Sequence, residues 1–228
     1  MSVERKVADC QYNLKQINHF NPDPYYVNYF FKAYLQSVIN VYDGIFEEAN
    51  RDFGLFIFGK CTKEKFERKA IEKNDQKALK FLSWFRKNYK NEHNNSYPNF
   101  IKEIIYFFKQ YNHLPKITMK IQANQRYKDD VFQLIQVVLT NGKIRSKEEL
   151  KIEIKRQTPV FLEIINQKRK KKNEPKVSEN QVIASTFLEM ENFEDIEISQ
   201  ACETYLPVLK RFLDESRNEI KVLTTWVD

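Results

Sequence analysis

An arginine and a histidine seven residues apart are the strongest candidates in this sequence for a catalytic pair. Arg86 and His93 lie in the basic stretch Phe81–His93, FLSWFRKNYKNEH, and the polar stretch Asn94–Pro98 follows it. Seven residues are close to two turns of an α-helix, so both side chains are expected on one face. An always-charged guanidinium beside an imidazole that titrates near neutrality suits phosphodiester chemistry. Asn88 is a third polar candidate in the same stretch.

The elements expected to position this pair are four helices with short connections, which form a helical bundle over residues 1–114. Asp23 followed by Pro24 predicts an N-cap and the first residue of a long, aromatic-rich second helix. Thr62 is the expected N-cap of the third helix, which places Arg86 near its end. The segment Phe53–Gly59 is predicted to be a buried loop or an interface plug. The four helices are predicted over residues 3–17, 24–50, 63–89 and 100–111.

Pro115 is the predicted boundary to a mostly helical region, residues 115–228, which is expected to bind a substrate or a partner. Alternating polar and apolar residues predict a strand over residues 116–122. Residues 146–172 are expected to form two short helices joined near Thr158 and Pro159, as in a helix-turn-helix. Further helices are predicted over residues 127–140, after a capping box at Ser178–Gln181, and over residues 198–223 with an interruption near Pro207.

Composition favours a mainly α-helical, globular protein. The chain has 228 residues, of which 30% are charged and 42% are hydrophobic. Its four glycines are widely dispersed, which disfavours a phosphate-binding P-loop or a dinucleotide-binding fold.

Basic residues concentrate in two regions, which favours a polyanionic partner, most simply nucleic acid. Residues 60–90 contain eleven Lys and Arg against four Asp and Glu, and residues 116–176 contain sixteen against seven. Residues 177–228 are acidic, with four Lys and Arg against eleven Asp and Glu. The alternative is that lysine-rich helices merely present solvated faces. The predicted nucleic-acid-binding residues are Lys77, Lys80, Lys87, Lys90, Lys168, Arg169, Lys170, Lys171 and Lys172.

The remaining sequence features favour a cytoplasmic protein without a metal or cofactor. Cys10, Cys61 and Cys202 are an odd and scattered set, unlike a disulfide framework or a zinc site. The N-terminus has no signal-type apolar core, and no apolar run approaches the roughly 18 residues of a membrane span.

The helix order, the apolar third helix leading into Arg86, and His93 just before the fourth helix resemble the HEPN superfamily. The resemblance covers residues 1–114. Members of this superfamily are compact helical bundles with an Arg-x(4–6)-His motif, and many are metal-independent endoribonucleases that act as homodimers. The resemblance implies that His93 acts as general base or general acid and that Arg86 stabilises charge on the phosphoryl oxygens. The family usually has Asn, Asp or His directly after the arginine, where this chain has Lys87.

Three further interpretations stay open beside a HEPN-type endoribonuclease. In the first, the domain is a non-catalytic HEPN-like module that binds nucleic acid or protein, as the Lys87 departure suggests. In the second, the protein acts in a defence or toxin–antitoxin system, because HEPN proteins are often paired with a separate nucleotidyltransferase antitoxin. In a purely structural interpretation, Arg86 pairs with an acidic side chain such as Glu92, and His93 caps the helix C-terminus.

Overall fold

The structure, a computed structural model, describes residues 2–91, 96–111, 113–123, 131–135, 147–190 and 193–225. The chain is mainly α-helical, which confirms the predicted fold class. The helices of the described residues are α1 (Val3–Phe20), α2 (Pro24–Asp52), α3 (Lys63–Glu72), α4 (Gln76–Asn91), α5 (Ser96–Tyr111), α6 (Lys147–Lys171) and α7 (Ile198–Thr225). The strands are β1 (Ile117–Ala123), β2 (Val131–Ile135), β3 (Val182–Met190) and β4 (Phe193–Glu197). None of these helices combines the length and the apolar character that a membrane crossing requires.

The chain forms two compact units, and their boundaries do not coincide with a single division after residue 114. The helical unit comprises Met1–Lys15, Lys32–His113 and Gln200–Asp228. The sheet unit comprises Gln16–Phe31 and Leu114–Ser199. Residues 200–228 thus belong with the N-terminal helices, although they stand at the opposite end of the sequence.

Aromatic side chains form the core of the helical unit and explain why α7 belongs to it. The Phe85 ring of α4 lies 4.7 Å from Phe46 of α2 and 5.2 Å from Phe212 of α7, centre to centre. The hydroxyls of Tyr42 and Tyr205 share a hydrogen bond of 2.5 Å. Since aromatic rings bury large apolar areas, these contacts hold α7 against α2 and α4.

The predicted third helix, residues 63–89, is wrong as a single element, because a turn divides it into α3 and α4. Thr62 caps α3 as predicted, since its side chain accepts a hydrogen bond from the Lys65 N–H. Asn74 has a φ of 50°, in the left-handed region that ends helices. Asp75 Oδ1 then accepts from the Ala78 N–H at 2.9 Å and opens α4. Arg86 therefore lies on the fourth helix.

An antiparallel sheet with the order β2-β1-β3-β4 forms the sheet unit. The strand predicted at residues 116–122 is confirmed as β1. α6 packs on the sheet through one shared core. Leu150, Phe161 and Ile165 of α6 lie in it with Met119, Ile121 and Ala123 of β1 and with Val177 of the segment after α6.

Three other predictions for this unit are wrong. The helix predicted over residues 127–140 is replaced by strand β2 where the chain is described. Ser178 N–H donates to Gln181 Oε1 at 2.9 Å as a capping box requires, yet only a 3-10 turn forms before β3. β-branched residues in β3 and its pairing with β1 outweigh that local helix signal.

The helix-turn-helix is also wrong, because α6 continues through Thr158 and Pro159. The Thr158 hydroxyl donates to the Ile154 carbonyl at 2.8 Å instead of capping a new helix. Leu150 before the proline and Phe161 after it are buried in the same core, so packing on the sheet holds both halves in line. The last predicted helix is confirmed as α7, but the predicted interruption near Pro207 is wrong. The helix continues through this proline, and Leu206 and Leu209 on either side of it are buried in the core.

Candidate nucleic-acid interface

α4 is amphipathic, with an aromatic buried face and a basic exposed face. Its sixteen residues, QKALKFLSWFRKNYKN, include five Lys and Arg and no Asp or Glu. Phe81 and Phe85 are buried, whereas Lys80 and Lys87 are exposed. Lys80 and Lys87 are seven residues apart and hence project from the same side of the helix. Lys77 is half-buried, and the Lys90 side chain lies outside the described part of the structure.

Arg86 forms an ion pair with a neighbouring helix. Its Nη2 lies 2.5 Å from Oε1 of Glu67 on α3, and 48% of the Arg86 side chain remains exposed. The purely structural interpretation of the sequence predicted that Arg86 pairs with an acidic side chain such as Glu92. Glu92 lies outside the described residues, and the observed acidic partner is Glu67. The pair keeps the guanidinium at the surface and partly neutralises its charge.

Asn88 is engaged within its own helix. Its Nδ2 donates to the Trp84 carbonyl oxygen at 2.9 Å, one helical turn back. The Trp84 ring is itself stacked 5.8 Å from Phe212, so this part of α4 is anchored in the core. Since the amide group is directed at the backbone, Asn88 supports the helix in this geometry.

Lys102 on α5 is a contributor that the sequence analysis missed. It is buried, its Nζ donates to the Tyr89 carbonyl oxygen at 2.6 Å, and the same nitrogen lies 4.3 Å from the centre of the Tyr89 ring. A cation at the C-terminal carbonyls of a helix is favourable, so Lys102 stabilises the last turn of α4. The sequence feature that could have indicated this role is a lysine within the largely apolar stretch Phe100–Ile105.

His93, the second member of the predicted catalytic pair, lies outside the described residues. Of the three predicted catalytic residues, Arg86 is at the surface with Glu67 as partner and Asn88 bonds to Trp84. The geometry of α4 therefore supplies positive charge at an exposed face.

The second basic run, Lys168–Lys172, has a different structure. Lys168, Lys170, Lys171 and Lys172 are exposed. Arg169 is only 4% exposed, and its Nε donates to the Pro175 carbonyl oxygen at 2.7 Å. Its Nη2 also lies 3.5 Å from Oε2 of Glu174. Arg169 thus fastens the loop after α6 and does not contribute to the exposed basic surface.

The cysteines are buried and unsuited to nucleophilic chemistry. All three are free thiols, and burial raises the pKa of Cys10 to about 12 and that of Cys61 to about 11. Burial also raises the pKa of Cys202. A thiol is a weak nucleophile while it is protonated. Within the part of the chain that the structure describes, no group of three or more His, Cys, Asp or Glu residues is placed to hold a metal ion.

No protein-family model, curated protein or solved structure matches the chain. The exposed face of α4 offers lysine ammonium groups and one guanidinium, and the opposite face of the helix packs in the aromatic core. Such a surface can bind phosphate groups through charge and hydrogen bonds.

Proposed function

We propose that the protein binds RNA and that the exposed face of α4 is its main contact surface. The observation that carries the proposal is the charge of α4, which has five basic residues and no acidic one. Lysine and arginine side chains that neutralise phosphates release bound counterions, and this release drives binding without sequence selectivity.

The packing of α4 supports this proposal over a merely solvated basic face. Phe81 and Phe85 anchor one side of the helix in the aromatic core, and Lys102 fixes its last turn. Because this packing already fixes the helix, binding to the basic face orders side chains without having to order the backbone, which favours affinity.

Fluorescence anisotropy with a labelled single-stranded RNA at several salt concentrations tests the proposal. The wild-type protein should bind with an affinity that falls steeply with salt. The double variant Lys80→Ala/Lys87→Ala should bind weakly, because both exposed ammonium groups are lost and alanine preserves the helix. Lys221→Ala, on α7 in the acidic part of the sequence, is the matched control and should bind normally. RNA binding that is absent, or that does not depend on salt, would refute the proposal.

RNA cleavage is a second candidate function. It is favoured by the 48% exposure of the Arg86 side chain, which lies on the helix that ends two residues before His93 in the sequence. Through the HEPN resemblance, His93 would move a proton at the ribose 2′-hydroxyl or the 5′-leaving oxygen, and Arg86 would stabilise the phosphoryl oxygens. For this role Arg86 must share its guanidinium between Glu67 and the substrate. A homodimer would bring two such pairs to one cleft.

Incubation of RNA with the purified protein in EDTA tests this second candidate. Cleavage should leave 2′,3′-cyclic phosphate ends, and Arg86→Ala and His93→Ala should each abolish it without lowering the melting temperature. Activity that survives either substitution would exclude the pair as the catalytic site. Tight RNA binding without any cleavage product would support the binding function and exclude cleavage.

A further inference from the structure

The loop between α2 and α3 presents two phenylalanine rings to solvent. Phe56 is 72% exposed and Phe58 is 90% exposed, whereas Leu55 between Gly54 and Phe56 is fully buried. Phe53, at the start of the loop, has its ring centre 5.9 Å from that of Phe81 on α4. The loop is therefore attached to the core at one end, while two large apolar side chains of its middle part remain in water.

The backbone of this loop is held in place by specific contacts. The Asn50 side chain binds both backbone groups of Ile57: Ile57 N–H donates to Oδ1 at 2.9 Å, and Nδ2 donates to the Ile57 carbonyl at 3.1 Å. Gly54 and Gly59 have φ values of 66° and 73°, which glycine adopts readily. Phe56 has a φ of 58°, a conformation that is rare for a bulky residue and that persists only where the surroundings enforce it.

Lys73 connects the loop to the turn before α4. Its Nζ donates to the Gly54 carbonyl oxygen at 3.2 Å and lies 4.8 Å from the centre of the Phe56 ring. Lys73 belongs to the basic stretch of residues 60–90 and is exposed. The exposed Phe56 ring consequently lies beside a cation in the same helical unit that carries the basic face of α4.

Two exposed aromatic rings in a basic setting fit unpaired nucleobases better than a lipid surface. Every base has a flat face that stacks on an aromatic side chain, and a nearby ammonium group binds the adjoining phosphate. Inserting Phe56 into a membrane would carry the Lys73 ammonium towards the hydrocarbon, where a charge is strongly disfavoured. Stacking on a base leaves that ammonium at the charged backbone of the ligand.

We infer that the Phe53–Gly59 loop is a stacking site for unpaired bases, with Phe58 as the principal ring and Phe56 beside Lys73 as the second. The inference rests on the proposed RNA-binding function and gives it a substrate class, single-stranded RNA. The basic face of α4 supplies affinity for phosphate, and the loop selects strands whose bases are free to stack.

Anisotropy titrations with a labelled ten-nucleotide oligouridylate and an abasic oligonucleotide of equal length test the inference. Phe58→Leu keeps an apolar side chain but removes the flat ring, so affinity for the oligouridylate should fall about tenfold. Phe58→Trp should preserve that affinity, since it retains an aromatic face. Neither substitution should change binding of the abasic strand. Tyr106→Leu removes an aromatic side chain of α5 that is 71% exposed, and it should leave both affinities unchanged.

The possible outcomes separate this inference from the proposed function. If Phe58→Leu binds the oligouridylate as tightly as wild type, or weakens both oligonucleotides equally, the stacking site is refuted while salt-dependent RNA binding stands. A wild-type protein that binds neither oligonucleotide refutes both. Wild-type protein that sediments with phosphatidylserine vesicles, and loses this property in Phe58→Leu without a change in oligouridylate binding, would assign the loop to a membrane surface and overturn the inference. Circular dichroism confirms that each variant is folded.

Discussion

Two helices of this protein carry dense runs of basic residues, α4 in the helical unit and the C-terminal end of α6 in the sheet unit. On α4, Lys80 and Lys87 are exposed and the buried face consists of aromatic residues. On α6, the central residue of the run, Arg169, is buried and bound to the loop that follows. A run of positive charge in a sequence therefore does not show by itself which members face a ligand.

The type of basic residue explains part of this difference. Arginine has a planar guanidinium with five N–H donors, so it can bind a carbonyl and a carboxylate at once, as Arg169 does with Pro175 and Glu174. A lysine ammonium is more strongly hydrated and tends to remain in water. Replacing single members of each run should therefore produce effects of different kinds.

Arg169→Ala should give the largest effect, a loss of about 3 kcal/mol in the stability of the sheet unit. The substitution leaves the Pro175 carbonyl without its buried donor and opens space below the loop. Amide hydrogen exchange of β1 and β3 measures the free energy of opening of this unit. Lys170→Ala, at the exposed neighbouring position, is the matched control and should change stability by less than about 0.5 kcal/mol. Equal losses in both variants would contradict the structural role of Arg169.

Lys87→Glu should lower RNA affinity by about tenfold, because a repulsive charge replaces a phosphate contact on α4. The slope of log affinity against log salt concentration should also decrease by about one, which corresponds to one lost phosphate contact. Lys170→Glu makes the same change in charge on α6, and we expect a smaller loss. Anisotropy titrations at three salt concentrations compare the two variants. A larger loss for Lys170→Glu would move the main contact surface from α4 to α6.

The features predicted correctly from the sequence depend on neighbouring residues. Asp23 accepts hydrogen bonds from the N–H groups of Tyr25 and Tyr26, and α2 begins at Pro24 as that pattern predicts. Strand β1 followed from alternation within seven residues, and the exposure of Lys87 follows from its position opposite Phe85 on α4. Each of these signals lies within a few residues of the feature it predicts.

The features that were missed depend on residues far apart in the chain. β3 pairs with β1 across more than fifty residues, and this pairing outweighs the helix signal at Ser178. The partner of Arg86 is Glu67, on a helix whose separation from α4 was itself missed. The support from Lys102 likewise requires α5 to fold back on the end of α4. No periodicity within a single segment contains that information.

Glu67→Gln should raise RNA affinity by about twofold to threefold, since it removes the carboxylate of α3 that partly neutralises the charge of Arg86 on α4. Its cost in stability should stay below about 1 kcal/mol, because both side chains of the pair are partly exposed. Glu72→Gln is the matched control on the same helix, where Glu72 pairs with Lys69 at 2.8 Å. If Glu72→Gln raises affinity as much as Glu67→Gln does, the gain reflects net charge and not the release of Arg86.

Asn88→Ala should have the smallest effect, within about 0.5 kcal/mol in stability and without a change in RNA binding. The substitution removes the hydrogen bond to the Trp84 carbonyl, but alanine is the better helix former, and the two effects largely cancel. Thermal unfolding and anisotropy measure both quantities, with Ser83→Ala at an exposed position of α4 as control. If the protein cleaves RNA and Asn88→Ala abolishes cleavage while its stability is unchanged, then Asn88 must leave Trp84 to reach the substrate. That outcome would make α4 a catalytic helix instead of a passive basic surface.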